Sequence, residues 1–255
     1  MSFVVIIPAR YESSRLPGKP LEMIGDKPMI RHVWERAVAS GAARVIIATD
    51  DARIAAAVKE FGAEACLTAK DHESGSDRLA EVVDREALDE DTLIVNVQGD
   101  EPFIAPENIR QVAGLLADGV ADNMATLCTA ITDESEIFDA NVVKVVFDNQ
   151  GRALYFSRAP IPWQRGSFEG RSRSGSAGSW FRHIGIYAYR AGFLRHYVNW
   201  PAAELERIEA LEQLRVLARG HAIGIALAET PPAAGVDTEQ DLHRAREHYR
   251  DLQKK

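Results

Sequence analysis

The residues with the most chemical content lie in the segment Ile-Ile-Pro-Ala-Arg-Tyr-Glu-Ser-Ser-Arg-Leu-Pro-Gly-Lys-Pro-Leu at positions 6–21. Arg10, Arg15 and Lys19 supply positive charge, while Ser13, Ser14 and Gly18 let backbone N–H groups turn toward phosphate oxygens. One arginine or lysine here would be an ordinary surface residue. The packing of Arg10, Arg15, Pro17, Gly18 and Lys19 into one loop instead suits a nucleoside triphosphate. The loop is not a Walker motif, since no Gly-Lys-Ser/Thr occurs, and it is not the Gly-x-Gly-x-x-Gly of dinucleotide folds.

Two carboxylates stand in comparable settings. Asp100 lies in Val-Gln-Gly-Asp-Glu-Pro directly after an apolar run, so it should project at the carboxyl end of a strand. That position suits Mg²⁺, a hard cation that takes one or two carboxylates together with substrate phosphate oxygens. By itself Gly-Asp is equally a turn or helix-capping aspartate. Asp237 in Gly-Val-Asp-Thr reads, taken alone, as the N-cap of the last helix. The segment His72-Glu73-Ser74-Gly75-Ser76-Asp77-Arg78 opens a helix whose N-terminus suits an anion or a base edge.

These groups need strands and helices to place them. The run 3–7 is apolar and β-branched, as for a strand covered on both faces, and Pro8 ends it. In open α/β sheets ligands bind at the carboxyl ends of strands, which is where the first loop begins. Pro28 starts a helix that Gly41 ends; 44–49 is a strand; Asp50 or Asp51 caps a helix closed by Gly62; 65–68 is a short strand. A helix over 76–88, a strand over 92–97, a helix over 106–116 and a strand over 125–131 continue the alternation. The pattern predicts an α/β fold with a mostly parallel central sheet and helices on both faces.

From about 142 the rhythm changes. Residues 142–148 and 153–156 read as short strands around Asn149-Gln150-Gly151, a hairpin signal. Residues 165–179 are rich in Gly, Ser and Arg and read as a loop, linker or lid, with no catalytic residue assigned to them. A strand over 181–190 carries Ile184, Ile186 and Ala188 on one face. Helices at 191–198 and 209–218, a strand at 222–228 and a Thr238-capped helix to about 252 complete the chain.

Composition narrows the partners. With 255 residues and a net charge of −8, the surface as a whole repels nucleic acid, so the basic loop is a local patch for an anionic small molecule. Cys66 and Cys128 show neither zinc nor disulfide spacing and read as core residues in a reducing compartment. The N-terminal apolar run is too short for a signal peptide, and no stretch approaches a membrane span. A soluble cytoplasmic protein with no membrane partner is expected.

The basic loop and the Val-Gln-Gly-Asp-Glu-Pro run together resemble the sugar-nucleotide cytidylyltransferases, most closely the branch acting on 3-deoxy-D-manno-octulosonate. The likeness spans about 3–249 and rests on five spaced motifs. It implies a three-layer, Rossmann-like nucleotidyltransferase fold in a single domain over 1–255. Within it, about 142–200 would form a smaller strand-rich region contributing to the acceptor pocket and a homodimer interface.

The implied reaction takes CTP and the octulosonate to the CMP-sugar and pyrophosphate, for lipopolysaccharide biosynthesis. The resemblance implies that Arg10, Ser13, Ser14, Arg15, Lys19 and Ser76 bind CTP, with Lys19 and Arg10 holding the phosphates. It makes Asp237 the partner of Asp100 at Mg²⁺. Arg78, Gln98, Arg158, His183, Tyr187, Glu212 and Gln213 would bind the sugar acid. From the residues alone, His183 and Tyr187 would be packed or surface strand residues, and Glu212 with Gln213 a solvated helix face.

Rival acceptors are the 8-amino octulosonate and N-acetylneuraminate. A glycosyltransferase would show Asp-x-Asp where this chain has Gly-Asp-Glu-Pro. A nucleotide-binding regulator, the non-enzymatic alternative, would not need both Asp100 and Asp237.

Overall fold

Strand β1, Val4–Ala9, buries alternate side chains on opposite faces: Val5 and Ile7 enter one core, Val4 and Ile6 the other. A strand so covered must be apolar throughout. The structure, a computed structural model, describes residues 1–13, 15–72, 74–166 and 180–254. After a 3₁₀ turn at Lys19–Leu21, a two-strand ribbon forms from β2, Met23–Ile24, and β3, Lys27–Pro28. Gly25, at φ 65°, makes its turn. This ribbon was not evident from the pattern of the sequence, because two-residue strands carry no periodicity.

Helix α1, Met29–Ala39, strand β4, Arg44–Thr49, helix α2, Ala52–Glu60, and strand β5, Glu64–Leu67, follow as expected. Asp51, not Asp50, caps α2, accepting from the Arg53 N–H at 2.8 Å. Next come α3, Gly75–Arg85; β6, Leu93–Asn96; α4, Pro106–Ala117; β7, Met124–Ala130; and a short α5, Ser135–Phe138. The hairpin β8, Lys144–Phe147, and β9, Ala153–Ser157, precedes β10, Phe181–Arg190. The expected loop at 165–179 lies outside the described residues except for Arg165 and Gly166.

The C-terminal third contains α6, Ala191–Tyr197; α7, Glu204–Glu209; α8, Leu214–Ala218; β11, Gly224–Leu227; and α9, Glu239–Leu252. The single helix expected over 209–218 is therefore reduced to α8, and a separate helix, α7, ends at Glu209. Ala210 at φ 51° ends α7, and the next three residues form a joint before α8. Glu212 and Gln213 occupy that joint rather than a solvated helix face.

The main sheet runs β11-β7-β10-β6-β1-β4-β5. β1 is parallel to β4 and β6, β4 to β5, and β11 to β7. β10 alone along this path runs the other way, inserted between β6 and β7. β8 pairs with the start of β10 and β9 with β8, so the hairpin belongs to the same sheet. Helices α1, α2 and α4 cover one face, and α3, α6 and α8 the other, giving three layers. Ile184, Ile186 and Ala188 enter the first core while Tyr189 enters the second, as the alternation in β10 predicts. Among the described residues no helix is long and apolar enough to cross a membrane.

Candidate active site

The basic loop leaves β1 at the sheet's carboxyl edge and is closed on itself by a bond from the Gly18 N–H to the Tyr11 carbonyl at 2.8 Å. Gly18 has φ 74°, and a Cβ there would stand 3.1 Å from the Tyr11 ring. Positive φ and close packing both favour glycine at this closure. Arg10, Ser13, Arg15 and Lys19 then line one cleft of about 360 Å³ with Gly75, Gln98, Gly99 and Asp100. Ser14 lies outside the described residues.

Opposite the loop, β6 ends beside β1 and the chain turns through Gly99 to Asp100. A Cβ on Gly99 would meet the Pro8 carbonyl oxygen at 2.6 Å, so the two turns touch backbone to backbone. Lys19 Nζ donates to Asp100 Oδ2 at 2.6 Å and to Asp237 Oδ1 at 3.1 Å. Arg15 Nη2 reaches Asp237 Oδ2 at 3.3 Å. Burial alone would lower the Lys19 pKa, but the pairing with Asp100 and Asp237 outweighs it and leaves the ammonium raised above its ordinary value. Beside them, burial and the Asp100 charge push the Glu101 carboxyl up to about 7.

Asp237 is free to make these contacts because Thr238, not Asp237, caps α9. Thr238 Oγ1 accepts from the Asp241 N–H at 3.2 Å, and the Asp241 carboxylate accepts from the Thr238 N–H at 2.9 Å, a capping box. A further bond from the Val236 N–H to the Asp100 carbonyl, at 2.8 Å, clips the two carboxylate loops together.

Two carboxylates addressing one cation are chemically suited to Mg²⁺, which is held by one or two carboxylates with water and phosphate oxygens completing its shell. Among the described residues no group of three or more His, Cys, Asp or Glu could hold a metal, so a cage built wholly of protein ligands is not present there. The donor set fits a metal shared with a bound triphosphate.

A second cavity of about 120 Å³ adjoins the first, with Gly75 and Gln98 in the walls of both. Ser76, Asn96, Met124, Tyr187, Tyr189, Tyr197, Glu212 and Gln213 complete it. Burial pushes the Tyr187, Tyr189 and Tyr197 hydroxyls and the Glu212 carboxyl up, the last against hydrogen bonding from Tyr197 and Ser76. The walls are thus neutral phenols and amides with one carboxyl drawn toward neutrality.

Four expected positions need separate statement. Ser76, expected at the nucleotide, is 4% exposed and lines the second cavity together with Tyr189 and Glu212. Arg78, expected to face the sugar acid, points into the fold: it is fully buried, bonding Thr68 and reaching Asp50 at 2.8 Å. The reason is helical periodicity, since Arg78 shares the buried face of α3 with Val82, one turn on.

His183 packs against Tyr187, the rings tilted by 45° with centroids 5.3 Å apart, and meets Thr126 Oγ1 at 3.0 Å. Burial pushes its pKa down to about 3, so it is neutral. Arg158 is outside the cavity wall, its guanidinium donating to the carbonyls of Glu209 at 2.7 Å, Ala140 at 2.9 Å and Ala210 at 3.4 Å.

Asn96, Met124, Tyr189 and Tyr197 were not picked out from the sequence. For Asn96 a signal existed: it is a polar amide inside an otherwise apolar strand.

The chain matches the family model described as Cytidylyltransferase over residues 4–223. It is 57% identical over 246 residues to the 3-deoxy-manno-octulosonate cytidylyltransferase of Aliivibrio salmonicida, covering 96% of this chain and 98% of that one. To the protein of the same name from Tolumonas auensis it is 58% identical, covering 96% of each chain. A solved CMP:2-keto-3-deoxy-manno-octonic acid synthetase complexed with CTP superposes with a TM-score of 0.89 at 42% identity, over 99% of this chain and 100% of that one. A nucleotidyl transferase from Methanothermobacter thermautotroptrophicus, at TM-score 0.61 and 15% identity, shares the fold. With the strand order, the motifs and the relatives in agreement, this chain belongs to the cytidylyltransferase family, in the branch whose members are named 3-deoxy-manno-octulosonate cytidylyltransferase.

Proposed function

We propose that this protein transfers the cytidylyl group of CTP to 3-deoxy-D-manno-octulosonate, releasing pyrophosphate and forming the CMP-sugar for lipopolysaccharide biosynthesis. The observation that carries the reading is the junction of two cavities of different chemistry at Gly75 and Gln98: a cleft rich in cations and a pocket of phenols and amides. A triphosphate suits the first and a polyhydroxylated acid the second.

Arg10, Arg15 and Lys19 take the phosphates, with Ser13 beside them. Asp100 and Asp237 would hold Mg²⁺, which would supply charge neutralisation to the triphosphate. The anomeric oxygen of the sugar acid bonds to the α-phosphorus, the bond from that phosphorus to pyrophosphate breaks, and the hydroxyl proton leaves to solvent. Gln98, at the junction, orients the acceptor hydroxyl. Tyr187, Glu212 and Gln213 hold the sugar, and Ser76, which lines the same cavity, contacts it from that side. His183, neutral, supports Tyr187 by packing. Arg158 is the cation available to the sugar carboxylate once its guanidinium exchanges carbonyl partners. Catalysis is mainly positioning and charge neutralisation.

A homodimer completes the reading. Among the described residues β9 pairs as a strand with β8 alone, though the Ala153 N–H at its start bonds the Ile223 carbonyl at 2.9 Å, and the exposed Leu154, Leu205 and Ile208 lie on β9 or on α7. An exposed edge with apolar side chains calls for a covering surface. Sedimentation at micromolar concentration is expected to give a dimer, and a monomer would refute this part.

The activity test follows pyrophosphate release from CTP and Mg²⁺ with the octulosonate, its 8-amino relative or N-acetylneuraminate. Release with the octulosonate is expected. Release only with another acid replaces the acceptor, and none with any acid favours a nucleotide-binding regulator.

A further inference from the structure

Strand β6 reads Leu-Ile-Val-Asn, and its one polar residue is 4% exposed. Asn96 is paired in register with Ile6 on β1 and with Tyr187 on β10, so neighbouring strands enclose it on both sides. Its Oδ1 has no hydrogen-bond partner. Gln213, in the joint before α8, is 5% exposed, and its Nε2 also lacks a partner. Among the described residues four buried side-chain atoms are in this state, and these two line the same small cavity.

A buried amide without a partner is unfavourable, and an aliphatic side chain would serve β6 better if packing were the sole requirement. The two unpaired atoms are complementary in kind: Asn96 Oδ1 accepts and Gln213 Nε2 donates. A hydroxyl does both, and a polyol offers several. A carboxylate would satisfy Gln213 but set negative charge against the Asn96 oxygen. The pair therefore selects hydroxyl groups and leaves the acid group to be held elsewhere.

We propose that Asn96 is a specificity-determining residue for the acceptor, its Oδ1 accepting from a sugar hydroxyl while Gln213 Nε2 donates to the same or the adjacent one. This rests on the reading of the second cavity as the sugar-acid pocket. In the absence of that hydroxyl Asn96 Oδ1 and Gln213 Nε2 stay unpaired, and an analogue lacking it is rejected by about 10- to 100-fold.

The test measures kcat/KM for the octulosonate and its monodeoxy analogues at saturating CTP, in the wild-type protein, Asn96→Leu and Gln213→Met, with KM for CTP and Tm alongside. The wild type is expected to disfavour one analogue by about 10- to 100-fold. In Asn96→Leu, kcat/KM for the octulosonate falls by a similar factor, that for the analogue changes by less than about threefold, and KM for CTP is unchanged. Gln213→Met shows the same collapse of discrimination and carries the test if Asn96→Leu does not fold. An equal fall for the octulosonate and every analogue, or no fall, in the folded variants overturns the proposal alone. No turnover of the octulosonate by the wild type overturns the functional reading, and the proposal with it.

Discussion

Lys19 and Asp237, 218 residues apart in the chain, lie 3.1 Å apart from Nζ to Oδ1, and the same ammonium donates to Asp100 at 2.6 Å. One cation thus sets the relative position of two carboxylates that belong to opposite ends of the sequence. Removing it leaves two like charges facing each other. Lys19→Met is expected to lower kcat/KM for CTP by about 10²–10³-fold, measured by steady-state kinetics. A value near wild type would remove Lys19 from the phosphate site.

The carboxylates themselves are tested by Asp100→Asn and Asp237→Asn. Each keeps the side-chain shape and deletes a charge, so each should raise the Mg²⁺ concentration needed for half-maximal activity and lower kcat by at least about 10²-fold. Unaltered Mg²⁺ dependence in both variants would count against the shared metal.

Gly99 carries the close approach of the turns that end β1 and β6. Gly99→Ala sets a methyl 2.6 Å from the Pro8 carbonyl oxygen, a contact only backbone movement can relieve. A loss of about 1–3 kcal/mol in denaturant unfolding, with displaced Asp100 and reduced kcat, is the expected outcome. A variant as stable and active as wild type would show that the turns are free to part.

His183 provides a pH signature. Burial depresses its pKa from 6.5 to about 3, so between those values the unfolded chain binds a proton that the native state refuses. Stability from this group is complete above pH 6.5 and declines as pH falls through that window. Between pH 7 and 5 the wild type should lose about 1–2 kcal/mol more than His183→Gln in urea melts. Parallel losses would mean that His183 titrates normally.

Glu209 positions the start of the Arg158 segment, accepting from Ser157 Oγ at 2.6 Å and from the Arg158 N–H at 2.9 Å. Glu209→Ala should raise KM for the sugar acid severalfold to about tenfold while KM for CTP stays constant. Equal changes in both constants would point to general loosening instead.

What local sequence determined was the succession of elements and the loops at their ends. Apolar β-branched runs such as 3–7 and 44–49 have one stable use in a covered sheet, although β1 continues past Pro8 to Ala9, and Pro28, Gly41, Gly62 and Thr238 mark boundaries through backbone constraints that act within a few residues. The phosphate-type loop and Asp100 were legible for the same reason, since each follows its strand directly. Tertiary structure alone decided the rest.

Whether Asp237 capped a helix or faced Asp100 depended on Thr238 taking the cap and on the clip from Val236 to Asp100. The reversal of β10 between two parallel neighbours brought Tyr187 and Tyr189 beside β6, which no local pattern encodes. Periodicity sets Arg78 on the buried face of α3, but the partner that neutralises it there, Asp50, comes from the end of another strand. The break at Ala210 put Glu212 and Gln213 into a pocket instead of water. In each case a side chain's role was fixed by a partner distant in sequence, because burial, charge pairing and hydrogen bonding act through space while propensity and periodicity act along the chain.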